Sequence, residues 1–141
     1  MAVVAGQGPG AGAGSACRSP HMFLRFIGLS LLVPGVVSSS LPAGFAVPAA
    51  YGDFVAGVLA IIATIALSKH ASWATPAVWV FNLMGAADLL LAIYNGVHFH
   101  IHPQSLGAAF YLPTAIVPPL LVTHFLIFGV LMGKAHTIAP R

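Results

Sequence analysis

Charged side chains are so scarce in this chain that the solvent it folds in is decided before any pattern is read. Five basic residues and two aspartates, seven in all, serve 141 positions, whereas a soluble domain devotes about 25% of its residues to Asp, Glu, Lys and Arg. Seven charges cannot clothe a water-facing surface. Because 59% of the residues are apolar, the chain is expected to be an integral membrane protein with lipid as its solvent.

Four apolar runs follow a Gly/Ala/Pro/Ser-rich opening. Residues 1–21 hold nothing that packs a core and read as disordered. Met22, directly before the first run, offers a second start point. The string at 14–17 that ends in Cys17 has no apolar stretch before it, so it is not a lipoprotein signal. The first run covers 23–37 and is interrupted by Pro34. The second covers 44–67, its best helical part being 51–67. The third, 73–94, has about the length a bilayer needs. The fourth, 106–133, is longer, and Pro113, Pro118 and Pro119 are expected to kink it or set its start. The expected fold is an all-α polytopic transmembrane bundle of four spans over residues 22–133, followed by a short cytoplasmic tail, 134–141. A rival reading makes 22–40 a cleaved signal peptide, with Arg25 near its start and small residues at its end. Three spans then remain, in the same orientations.

The basic residues orient the bundle. If all four runs cross, Arg18, Lys69, Lys134 and Arg141 fall on one side, and Arg25, at that end of the first span, snorkels toward it. The opposite connections, 38–50 and 95–105, contain no Lys or Arg. By the positive-inside rule both termini are cytoplasmic, in the style of a bacterial inner membrane protein. The five cations are too dispersed for a nucleic-acid patch, so nucleic acid is excluded as a partner. The single cysteine, Cys17, rules out an intrachain disulfide.

Four polar groups interrupt the later runs: Asp53 in the second, Asn82 and Asp88 in the third, and His124 in the fourth. Such groups are costly in lipid and turn toward the bundle or toward water. Asn82 is nine residues after Trp73 and His124 nine residues before Gly133. At ~1.5 Å per residue they share a depth and are placed to hydrogen bond. The same rise puts Asp88 about 9 Å from the outer end of its span. Asp53 is expected to lie shallower and to suit a helix N-cap. As glue, these groups fix helix register. As a pathway, Asp53, Asp88 and His124 carry a proton or cation.

His98, His100 and His102 alternate in the outer loop. In an extended strand alternate side chains point the same way, and three converging imidazoles with an open position suit Zn, Cu or Ni. No carboxylate or cysteine lies nearby to orient them. The other reading is an ordinary interfacial or pH-sensitive loop. Small residues permit close packing within the chain or between copies: Ala56, Ala60 and Ala63 share a face, and Gly129 and Gly133 form a GxxxG pair. Trp73, Tyr94 and Tyr111 read as interfacial anchors, with Trp79 deeper.

A set of short motifs occurs in order: Leu41-Pro-Ala-Gly-Phe-Ala46; Pro48-Ala-Ala-Tyr-Gly-Asp53 with Gly57; Asn82-Leu-Met-Gly85-Ala-Ala-Asp88-Leu89; and Leu112-Pro113, Ile116-Val117-Pro118 with His124. From about Leu41 to Leu131 the chain resembles a family of small, uncharacterised bacterial integral membrane proteins that carry this ordered set. The resemblance implies a polar signature of Gly52, Asp53, Asn82, Gly85, Asp88, Pro118 and His124. It implies no activity, and the histidines at 98–102 are not part of it.

No nucleophile elbow, zinc-protease motif, phosphate loop or dinucleotide fingerprint is present, and there is no glutamate at all. The expected function is therefore non-enzymatic: an accessory or interaction subunit in the membrane, as a homo-oligomer or within a larger complex. The alternative is a small ion- or proton-coupled transporter using Asp53, Asp88 and His124. Haem binding through His124 ranks last, because no second axial ligand lies at matching depth. No cofactor is assigned.

Overall fold

The computed structural model describes residues 20–138, with side chains placed for 24–133. All the regular structure in this range is helical. A 3₁₀ segment, Pro20–Leu32, comes first. It is followed by α1 (Ala43–Ser68), α2 (Ala74–His98), a single turn α3 (Pro103–Leu106), and a 3₁₀ turn (Gly107–Phe110). A π turn (Leu112–Ile116) then leads into α4 (Val117–Ile138). Three helices, Ala43–Ser68, Ala74–His98 and Leu112–Gly133, are long and apolar enough to cross a membrane. The disorder expected for 1–21 lies outside the described residues as far as residue 19. Residues 20 and 21 already belong to the 3₁₀ segment, and the helix of the fourth run continues through Ile138, past the expected tail boundary.

Each element departs from its sequence reading for a local reason. α1 begins at Ala43 rather than at 51, and keeps Pro48 inside it. The proline forfeits the bond to the Gly44 carbonyl and crowds it, but Phe45, Ala46, Ala49 and Ala50 on either side of it are packed into the core and hold the helix through that point. α2 runs on to His98, beyond the expected end at 94. In the fourth run Pro118 and Pro119 have no N–H to offer. The chain there adopts a π turn closed by Val117 N–H on the Leu112 carbonyl, and regular α4 starts at Val117. The first apolar run is a 13-residue 3₁₀ segment, unusually long for that conformation. At roughly 2.0 Å per residue it extends about 26 Å, where the same residues in an α-helix would cover about 20 Å. A turn at Val33, Pro34, Gly35 and Val36 ends it, with Gly35 at φ 90°. Proline and then a positive-φ glycine at the two central positions are what a type II turn requires.

The 3₁₀ segment lies along α1, and α2 packs between α1 and α4. Two apolar clusters build the core. One gathers Ala60, Ala63, Val78, Phe81, Leu120, Ile127 and Leu131. The other gathers Leu31, Phe45, Ala46, Ala49, Ala50, Leu106 and Leu112 at the opposite end. Ala56, Ala60 and Ala63 are all fully buried, so the small-residue face of α1 is a packed one. Val36 also accepts a bond from Ala108 N–H at 2.9 Å, and Ser105 accepts one from Ser38 N–H at 3.1 Å, tying the two connections at that end together. A side chain at Gly107 would strike the Val36 carbonyl.

Candidate functional site

Between the two apolar clusters the four longest segments each contribute polar groups to one buried network. Its centre is Arg25, from the 3₁₀ segment, only 1% exposed. Arg25 Nη1–H donates to Asp53 Oδ1 of α1 at 3.0 Å and to Asp88 Oδ2 of α2 at 2.9 Å. Arg25 Nη2–H donates to the Gly85 carbonyl at 2.7 Å and meets His124 Nε2 of α4 at 3.0 Å. Arginine has no acceptor to offer. His124 Nε2 must therefore present its lone pair, and the ring proton sits on Nδ1. That nitrogen donates to Asn82 Oδ1 at 2.7 Å, while Asn82 Nδ2–H donates to the His124 carbonyl at 3.1 Å. Asn82 thus clasps His124 by ring and backbone together and fixes its tautomer.

The sequence explains why these groups meet. Asn82, Gly85 and Asp88 are spaced by three, which puts them on one face of α2. Glycines supply the room. A Cβ at Gly28 would overlap the Asp53 carboxylate, one at Gly52 the Asp88 carboxylate, and one at Gly85 the His124 ring. Each backbone therefore approaches closely enough for a short polar side chain to reach across.

The expected readings need three corrections. Arg25 does not snorkel to an interface. It turns inward because two carboxylates and a carbonyl replace the water it gives up, and a charge-assisted hydrogen bond contributes about 1.5–3 kcal/mol. Asp53 is not an N-cap. It lies ten residues past Ala43, about 15 Å into α1. Asp88 likewise lies ten residues, about 15 Å, from the end of α2 at His98, so the two carboxylates are level. Finally, His98, His100 and His102 do not converge. His98 is still helical and stacks on Tyr94 at 5.8 Å. His100 turns the chain at φ 48°, and only His102 is extended. Without a strand there is no shared face, and among the described residues no group of three or more His, Cys, Asp or Glu is placed to hold a metal ion. His124 has both ring nitrogens engaged, which leaves none for a haem iron.

Arg25 is the site residue that sequence reasoning missed. The signal was available: it is the only cation inside an apolar run, and the only two acids of the chain lie inside others. Beside the network opens a cleft of about 760 Å³. Asp53 and Asp88 form part of its wall, and the rest is almost wholly apolar, including Phe45, Leu89, Ile93 and Leu112. His100 also lines it.

Residues 9–132 match the model of a domain family of unknown function, DUF8737. The chain belongs to that family. The match takes in Arg25 and every other residue of the network. No curated protein and no solved structure matches the chain.

Proposed function

We propose that this chain is a four-segment bundle of the bacterial inner membrane, with both termini cytoplasmic, that works as a small ion- or proton-coupled transport protein rather than as an enzyme. The observation that carries this reading is that Asp53 and Asp88 share one nitrogen of Arg25 and both line the cleft. Pure structural glue has no need of a cavity beside it. A carrier needs what is present here: carboxylates held level by a fixed cation, at a depth near the middle of helices that can cross lipid, with access to a space for cargo. The 3₁₀ segment reaches about 26 Å, against a hydrocarbon core of about 30 Å. That supports counting it as a fourth crossing rather than a removable signal. The motif family that the sequence resembles is consistent with this placement, since Asp53, Asn82, Gly85, Asp88 and His124 of its signature all belong to the network.

Reconstitution tests the reading. Liposomes containing the full chain and a trapped pH indicator, in a medium that supplies inorganic and organic monovalent cations as cargo, are expected to dissipate an imposed proton gradient, and Asp88→Asn is expected to abolish that flux. A second reading, an accessory subunit, is favoured by Gly129. A Cβ there would meet nothing within 4 Å, which leaves a flat helix face for a helix of another copy or of a larger complex. Equal flux from wild type, Asp88→Asn and empty liposomes, together with co-purification of a larger membrane complex, would establish the accessory role instead.

A further inference from the structure

The charge balance of the network identifies the chemistry of what the cleft holds, on the footing of the transport reading. Arg25 is permanently cationic. Asp53 and Asp88 bring two negative charges. His124, held by an N–H donor on Nε2 and bonded through Nδ1 to Asn82, brings none. The groups that face the carboxylates are Arg25 from the 3₁₀ segment and the other aspartate across the α1–α2 contact; His124 from α4 meets Arg25 on its other terminal nitrogen, and His100 is the remaining titratable group on the cleft wall. One negative charge is left over, among walls that apart from His100 and Thr114 are apolar. A bare charge in such surroundings is costly, and two occupants can cancel it: a proton on the aspartate pair, or a monovalent cation in the cleft.

The walls decide which kind of cation. Beyond the two carboxylates and the Thr114 hydroxyl, which is given to the Phe110 carbonyl, the side chains on the walls offer no oxygen to replace the water around an inorganic ion. They do offer apolar side chains on most sides, and the volume of about 760 Å³ falls within the roughly 300–1,000 Å³ typical of small-molecule sites. We propose that the cleft binds a lipophilic organic monocation, an ammonium or phosphonium with apolar substituents, in exchange for the single proton that the Asp53–Asp88 pair otherwise holds. One cation enters and one proton leaves, so the buried charge stays balanced in both states.

The probe is tetraphenylphosphonium, titrated into the purified full-length chain in mild detergent, with binding read by equilibrium dialysis and proton release by a dye in weak buffer. One cation bound and about one proton released per chain are expected, with binding about tenfold weaker for each pH unit lowered where the proton competes. Asp53→Asn and Asp88→Asn each leave Arg25 paired with the other carboxylate, so the fold is retained by circular dichroism. Each also removes the surplus charge, and binding is expected to weaken by at least about tenfold. Absence of binding, binding unchanged in both variants, absence of proton release, or equal binding of an uncharged tetraphenyl compound would each overturn the proposal. Asp88-dependent proton flux without phosphonium binding would remove the ligand and leave the transport reading standing; loss of both would remove both.

Discussion

Replacing Arg25 by methionine tests whether the network holds the bundle together. Arg25 makes four polar contacts through its two Nη atoms, two of them to carboxylates whose side chains are only 19% and 11% exposed. Methionine keeps most of the volume and removes every donor. Asp53 and Asp88 are then left facing one another without a cation, and removing one partner from a buried ion pair costs about 3–5 kcal/mol. The same principle predicts relief. With Arg25→Met already present, converting both aspartates to asparagine removes the repulsion and most of the desolvation penalty, and apolar or neutral replacement of a whole buried ion cluster is often close to neutral. Equilibrium unfolding in mixed micelles, followed by circular dichroism, measures both. The single variant is expected to lose about 3–5 kcal/mol and the triple variant to recover at least about half of it. A loss under about 1 kcal/mol for Arg25→Met, the usual size for an exposed pair, would refute the burial of this cation. So would a triple variant no more stable than the single one.

Three further outcomes follow from the geometry. Gly52→Ala and Gly85→Ala place a methyl group against Asp88 and His124 and should cost about 1–3 kcal/mol each, whereas Gly129→Ala meets nothing within 4 Å and should be neutral or slightly stabilising; micelle unfolding reads all three. Asn82→Leu leaves the His124 Nδ1 proton without its acceptor and should cost about 1–3 kcal/mol, with the imidazole nitrogen resonances changing in NMR. In a Cys17→Ser background, single cysteines at Ser39 and at Lys69 should label with a membrane-impermeant maleimide from opposite sides, and labelling of both from one side would reject the α1 crossing.

Much of the fold is legible in the sequence because the bilayer is a coarse reader: it responds to length and apolarity, and α1, α2 and the helix of the fourth run satisfy both. Their exact ends are not, because Pro48, a nominal breaker, is tolerated within α1, and Asn95, Gly96 and His98, nominally terminal, continue α2. The 3₁₀ segment was illegible for a different reason. Run length converts to reach only if the rise per residue is known, and the run 23–37 looks short for a span at the α-helical rise. Within the site, polarity alone singles out Asp53, Asn82, Asp88 and His124, and residue counting puts Asn82 and His124 at one level, where they share two hydrogen bonds. Arg25 escaped because a cation near the end of an apolar run has two readings, outward to water or inward to a carboxylate. Only the register of the 3₁₀ segment against α1, with Gly28 beside Asp53, chooses between them.

That inward arginine also bears on how the protein is made. Arg25 leaves the ribosome 28 residues before Asp53 and 63 residues before Asp88, in the segment with the weakest claim to stand alone. An arginine at the centre of an inserting segment costs about 2.5–3.5 kcal/mol on insertion scales, with no counter-ion yet synthesised to offset it. On the four-crossing reading proposed above, the 3₁₀ segment should therefore settle only after α2 has delivered Asp88, so that assembly runs out of sequence order.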